Sequence, residues 1–296
     1  SSVPKPRYSR SWFSVCGISN VQTTRSNVVF ADNADNYGIL PLQTPYSTAF
    51  FDFQDIYGVI PDPVELGGLW GFFMNYDLDQ DEVLEPNLAG AEIFGVKTTN
   101  DCAGLNLDPY IGQALLFSHI ANPPLGWWTG IAMTSLAVDP NPNDGITTHQ
   151  LLVTAYGAAG QVLKQTITDI PYLGKRAYLA HTWLVNSERV IPDDAVWIVV
   201  SSMQQDHYLT GYELFGLGSP PAGVDSLAGL EAAKSLSQRL LFPRVENADG
   251  YGDGLQRWTG IAVINPNSAE ADLTYRLYTA TGTLVRTVNR SIGAYR

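Results

Sequence analysis

The chain has 296 residues, 45% hydrophobic and 16% charged, with 17 Lys and Arg against 29 Asp and Glu for a net charge of −12. That length holds two or three domains with real cores. The negative field repels phosphates, which argues against nucleic acid or an anionic membrane as a partner, and no apolar run approaches the roughly 18 residues of a membrane-spanning helix.

Ser1-Ser2-Val3-Pro4 opens the chain without an initiator Met, which fits a processed, exported protein. Trp12-Phe13-Ser14-Val15-Cys16 then heads the first predicted strand. A hairpin follows, from Asn27-Val28-Val29-Phe30 across a long tip at 31–36 to Gly38-Ile39-Leu40, with further strands at 46–51, 69–74 and 90–95. The same succession then returns. Leu115-Leu116-Phe117-Ser118-His119-Ile120 precedes Trp128-Thr129-Gly130-Ile131-Ala132, a hairpin runs from 151–156 to 160–163, and strands follow at 175–179, 196–200 and 211–216. A third succession has Leu240-Leu241-Phe242-Pro243-Arg244-Val245, Trp258-Thr259-Gly260-Ile261-Ala262 and a hairpin from 273–278 to 282–285.

Period-two alternation with β-branched and aromatic residues marks these runs as strands, and a Gly closing each short turn takes positive φ at little cost. About seven short strands per copy fit two packed sheets with Greek-key connections. The expected fold class is therefore all-β, with tandem Ig-like antiparallel β-sandwich domains of which the third is incomplete. The expected boundaries are 1–110, 111–220 and 239–296, separated before the last by a linker and short helix at 221–238. Asp225 would cap that helix, which would carry Leu227, Leu230, Ala233 and Leu236 at helical spacing.

Trp-Thr-Gly-Ile-Ala-Val-Ile-Asn-Pro-Asn at 258–267, Leu-Tyr-x-x-x-Gly at 277–282, Tyr-Glu-Leu-Phe-Gly at 212–216 and Leu-Ala-Gly-Leu at 227–230 resemble the tandem β-sandwich repeats of secreted bacterial proteins. The resemblance covers the second and third copies well and the first weakly. It implies the fold and an envelope or extracellular setting, and no reaction.

The third copy stops near 292–296, where the second copy still has two strands to come. A sandwich without those strands exposes core side chains and leaves backbone groups unpaired along an edge. Either the third unit is a smaller sheet docked on the second or part of a longer chain, or a neighbouring subunit supplies the strand. In the latter case residues 1–10 are a candidate donor, with Val3 and Tyr8 filling pockets.

Chemistry-bearing clusters are sparse. Asp77, Asp79 and Asp81 reproduce the first ligand spacings of a calcium loop, with Glu85 nearby, but Glu82 stands where the turn Gly belongs and Leu88 where the closing Glu belongs. A structural Ca²⁺ is the one cofactor this spacing suggests, and a solvated acidic loop tip is the simpler reading of the partial match. The acidic runs at 139–144 and 246–253 are weaker candidates. Cys16 and Cys102 both fall in the first copy, and are either a disulfide closing that unit or two unrelated thiols. Trp127 and Trp183 have no repeat partner and are the candidate glycan-facing aromatics, whereas Trp12, Trp128 and Trp258 recur in register and read as core packing.

The four histidines (His119, His149, His181, His207) are scattered, and neither a G-x-S-x-G elbow nor a glycine-rich phosphate loop occurs. Glu92 and Glu213 are repeat-equivalent, so each is expected to face solvent in its own unit rather than form a carboxylate pair. The expected function is non-enzymatic: an extracellular or cell-surface structural subunit of a filament, sheath or surface layer, self-associating or joined to other surface proteins. An adhesin or carbohydrate-binding module is the alternative, and a hydrolase a distant third.

Overall fold

The computed structural model describes residues 12–20, 26–32, 37–42, 48–52, 71–77, 82–83, 88–96, 102–106, 111–121, 126–137, 147–219, 223–242, 245, 247–248 and 257–296. Strands account for most of them, and none of the described residues is α-helical.

The first unit has β1 (Trp12–Asn20), β2 (Ser26–Asp32), β3 (Tyr37–Leu42), β4 (Thr48–Asp52), β5 (Gly71–Asp77), β6 (Glu82–Val83), β7 (Leu88–Val96) and β8 (Cys102–Asn106). These form two antiparallel sheets, ordered β4-β1-β7-β8 and β3-β2-β5-β6. The second unit has β9 (Ala114–Phe117), β10 (Trp127–Ala137), β11 (Thr148–Gly157), β12 (Val162–Pro171), β13 (Lys175–Leu179), β14 (Leu184–Val185), β15 (Glu188–Arg189), β16 (Ala195–Ser202), β17 (His207–Ser219) and β18 (Gly223–Glu231). Its main sheets are ordered β13-β10-β17-β18 and β12-β11-β16-β9, the same connectivity as the first unit except for the last strand of the second sheet. Ile131, Met133 and Leu209 from one sheet and Leu115, Phe117, Leu151, Val153, Ile198 and Val200 from the other meet in one buried core. Alternation along each strand sends these side chains inward.

The expected helix is a strand. Residues 223–231 pair with β17 over its length, Leu227 opposite Gly216 and Leu230 opposite Glu213, so the second unit runs to Glu231 rather than ending at 220. The i, i+3 apolar spacing suits a helix, but Gly229 disfavours one by about 1 kcal/mol relative to Ala, and the open edge of β17 satisfies the backbone without it. A sequence signal for this existed. Cys102-Ala103-Gly104-Leu105 of β8 and Leu227-Ala228-Gly229-Leu230 of β18 are counterparts at the same place in the two sheets, and each lies at the same distance before a Leu-Leu-Phe.

Strand register also moves the first repeat equivalence by one residue. Glu92 lies opposite Cys16, and Glu213 opposite Ile131. Cys16 therefore matches Ile131 rather than Ala132, and Trp12-Phe13 match Trp127-Trp128. Burial agrees, because Cys16 and Ile18 are as enclosed as Ile131 and Met133.

The third unit has β19 (Asn247–Ala248), β20 (Arg257–Trp258), β21 (Ala271–Tyr278) and β22 (Leu284–Ile292). Its hairpin repeats that of the second unit closely, with a register shift one residue before the turn in each and positive φ at the closing Gly160 and Gly282. The third Trp strand does not form as expected. Trp258 ends a two-residue strand, and Thr259 to Ala262 are exposed and lie outside any strand, whereas Thr129, Ile131 and Ala132 are buried on β10.

Candidate functional site

The second unit is covered on both outer faces. On one, Ala103 and Leu105 of β8 seat against Tyr212, Leu214 and Leu227, and a Cβ on Gly229 would come within 3.0 Å of Leu105. Trp128 lies on this same outer face, packed with Leu214 and Leu227 and close over Gly130. Its packing is thus on the side facing the first unit, not between the sheets of its own sandwich as expected. On the other face, Tyr156 stacks on Trp197 with ring centroids 3.9 Å apart, and the turn carrying Tyr295 covers them. Trp197 Nε1 donates to the Tyr295 carbonyl at 3.2 Å, and the close approach of Ala294 to Gly160 leaves no room there for a Cβ. Asn265 fixes the base of the third hairpin, its Nδ2 donating to the carbonyls of Ala269, Ile292 and Gly293 and its Oδ1 accepting from the Asn267 amide.

Beyond that base the third unit is open. Leu277, Tyr278, Leu284 and Val285 of the hairpin are exposed, as are Leu240, Leu241 and Phe242. Residues 240–242 were expected to form a strand like Leu115-Leu116-Phe117; instead they are unpaired coil. Phe117 is 0% exposed and its counterpart Phe242 is 42% exposed. The partner strand decides the difference: β9 has β16 beside it, and the third unit has no counterpart of β16 among the described residues.

A polar cluster lies at one end of the second sandwich. The Ser202 hydroxyl donates to the Gln204 carbonyl, so His149 Nε2 must donate to Ser202, and Nδ1 accepts from the Ser135 hydroxyl, each at 2.8 Å. Burial, aided by the neighbouring His207 ring, lowers the His149 pKa to about 4. The histidines are therefore less scattered than their sequence positions suggest. A hydroxyl aimed at an imidazole nitrogen has the geometry of an activated nucleophile, but Ser135 is fully buried and a serine, not a carboxylate, orients the ring.

Glu213 is the second unexpected polar group. It was expected to face solvent, yet it is 1% exposed, because its place opposite Ile131 turns it inward. Burial raises its pKa to about 8. The His119 amide and Ser118 hydroxyl, on the segment after β9, moderate that shift, but neither meets hydrogen-bond geometry and both carboxyl oxygens stay unsatisfied. Its counterpart Glu92 is half-buried, so the two acids occupy matched positions in separate units and form no pair.

The remaining expected sites disperse. Cys16 and Cys102 are free thiols, the first buried and the second exposed. Cys16 lies across from Glu92 and Cys102 across from Gly95, positions that alternate to opposite faces of β7, with two strand spacings between the cysteines. No disulfide can span that arrangement. Trp183 is buried and stacked on Tyr178 at 4.4 Å, so it offers no face to a sugar, and Trp127 is half-buried at the start of β10. Asp77 ends β5 opposite Glu82, whereas Asp79, Asp81 and Glu85 lie outside the described residues. Among the described residues no three His, Cys, Asp or Glu side chains converge as a metal site. Residues 1–10, the expected donor strand, also lie outside the described residues.

Fold and site together define an all-β protein of repeated antiparallel sheets, with His149 and Glu213 buried in the second unit and, among the described residues, exposed apolar side chains along the third hairpin and at 240–242. No family model, curated protein or solved structure matches the chain.

Proposed function

We propose that this chain is a non-enzymatic structural subunit of an extracellular or cell-surface assembly, built from tandem Ig-like sandwiches and joined to its neighbours by strand exchange. The observation that carries this reading is the third unit: a hairpin anchored at its base by Asn265 and Tyr295, with Leu277, Tyr278, Leu284 and Val285 left exposed along its length. Exposed apolar strands of this kind attract another chain, and a contact joining two different surfaces adds subunits head to tail. The acidic, charge-poor composition and the resemblance to secreted repeats support the extracellular setting. The glycan-binding alternative loses Trp183, which is core. Negative-stain microscopy of the purified chain tests the proposal. Filaments or ordered sheets are expected, and monodisperse single particles at every concentration would overturn it.

A further inference from the structure

The second unit contains a working example of how a Leu-Leu-Phe segment is used. β9 adds antiparallel to the edge of β16, with Ala114, Leu115, Leu116 and Phe117 opposite Ser201, Val200, Val199 and Ile198, and Leu115 and Phe117 become fully buried. This segment comes from the stretch that joins the two units, so the second sandwich takes its eighth strand from the chain ahead of its Trp strand.

The two flanking units each hold half of that arrangement. In the third, Leu240-Leu241-Phe242 repeats the segment at the same distance from the preceding strand, yet the three residues are 56%, 83% and 42% exposed. In the first, β5 is the counterpart of β16. β2 pairs with one edge of it, and on the other edge β6 reaches only Tyr76 and Asp77. Residues 71–75 have no partner on that edge among the described residues. Matching Trp70-Gly71-Phe72-Phe73 to Trp197-Ile198-Val199-Val200 shows that these are the positions that hold β9 in the second unit.

We infer that Leu240-Leu241-Phe242 of one copy adds as a strand to the β5 edge of a second copy. This rests on the assembly reading above and names its two surfaces. The register follows β9 on β16, which places Phe242 opposite Gly71, Leu241 opposite Phe72 and Leu240 opposite Phe73. Alternation then sends Leu240 and Phe242 toward the interior of the receiving unit, as it does Leu115 and Phe117. Donor and acceptor lie in different units of the chain, so the contact is heterologous and leaves a free donor and a free acceptor at the two ends.

Sedimentation velocity and site-directed cross-linking of the full chain test this. In a Cys102→Ser background, chains carrying Leu241→Cys and chains carrying Phe72→Cys are mixed and oxidised. A disulfide between positions 241 and 72, at dimer mass or above and identified by peptide mapping, is the expected result. The double variant Leu240→Asp/Phe242→Asp changes only exposed positions and leaves the fold intact; it is expected to raise the concentration needed for association at least tenfold. Wild-type association that this variant does not weaken, without a 241–72 link, overturns the inference and leaves the assembly reading standing. A 241–72 link confined to monomer mass overturns the second-copy assignment. A wild-type chain that stays monomeric at every concentration overturns both.

Discussion

Glu213 stands directly across the β10–β17 ladder from Ile131, so a carboxyl and an aliphatic side chain share one buried cross-strand position. Burial moves its pKa from 4.5 to about 8. Below pH 4.5 both folded and unfolded chains hold the proton. Between 4.5 and 8 the unfolded chain releases it while the folded chain keeps it, so this contribution to stability is lost as pH rises. Glu213→Gln removes the titration, and should stabilise the second unit by roughly 2 kcal/mol at pH 7 while leaving it nearly unchanged at pH 4. Urea unfolding at both values checks this. A variant with the wild-type pH slope would show that Glu213 does not hold its proton in the core.

His149 predicts the opposite limb. Its pKa falls from 6.5 to about 4, so the folded chain resists protonation that the unfolded chain accepts, and stability declines as pH drops from 6.5 through 4. Ring-nitrogen NMR should find His149 neutral at pH 5.5, with the proton on Nε2. Ser135→Ala leaves Nδ1 buried without a donor and should cost about 1–2 kcal/mol. Protonation of His149 near pH 6.5 would contradict the enclosed Ser135–His149–Ser202 chain.

The thiols should separate cleanly. Cys102 is exposed, whereas burial, with the nearby Glu92 charge, raises the Cys16 pKa to about 12. One thiol per native chain should react with a disulfide reagent at pH 8, and the second only in denaturant, at least a hundredfold more slowly under native conditions. Cys102→Ser should abolish the fast reaction. An intact mass two hydrogens short of the free-thiol form would instead reveal a bridge.

Gly160 and Gly282 form a matched test of docking. Both close hairpins at positive φ, +85° and +83°, but only Gly160 meets another part of the chain, the Ala294 carbonyl. Gly282→Ala should cost about 1 kcal/mol from backbone strain alone. Gly160→Ala should cost the same strain and also displace the Tyr295 turn, exposing Trp197. A red-shifted tryptophan emission and faster proteolysis of residues 259–296 are expected in the second variant only. Equal behaviour would mean that the third hairpin is not seated on the second unit.

Much of the fold was legible along the chain. The three hairpins, the closing Gly160 and Gly282 of the second and third, and the strands at 175–179 and 196–200 follow from period-two patterning and turn chemistry, which are local, whereas Gly38 of the first lies inside β3 opposite Phe30. The helix expected over 225–236 failed because apolar spacing at 227 and 230 reads identically for a short helix and for an edge strand. The free edge of β17, far away in sequence, decided between them. The polar sites were less legible still. Nothing local marks Glu213 as buried when Glu92 is half-exposed, and nothing in the spacing of 135, 149 and 202 announces a hydrogen-bonded chain.

Trp-Thr-Gly-Ile-Ala occurs twice with opposite outcomes: Ile131 is 1% exposed in the middle of a sheet, and Ile261 is 42% exposed outside any strand. By itself the sequence determined that this is an antiparallel β protein written in repeats, because alternation and turn residues act within a few positions of one another. Which copies of a repeated segment become full strands was decided only by tertiary structure, because a strand's backbone hydrogen bonds and half its burial come from a neighbouring strand, and identical residues without that neighbour do not extend into one.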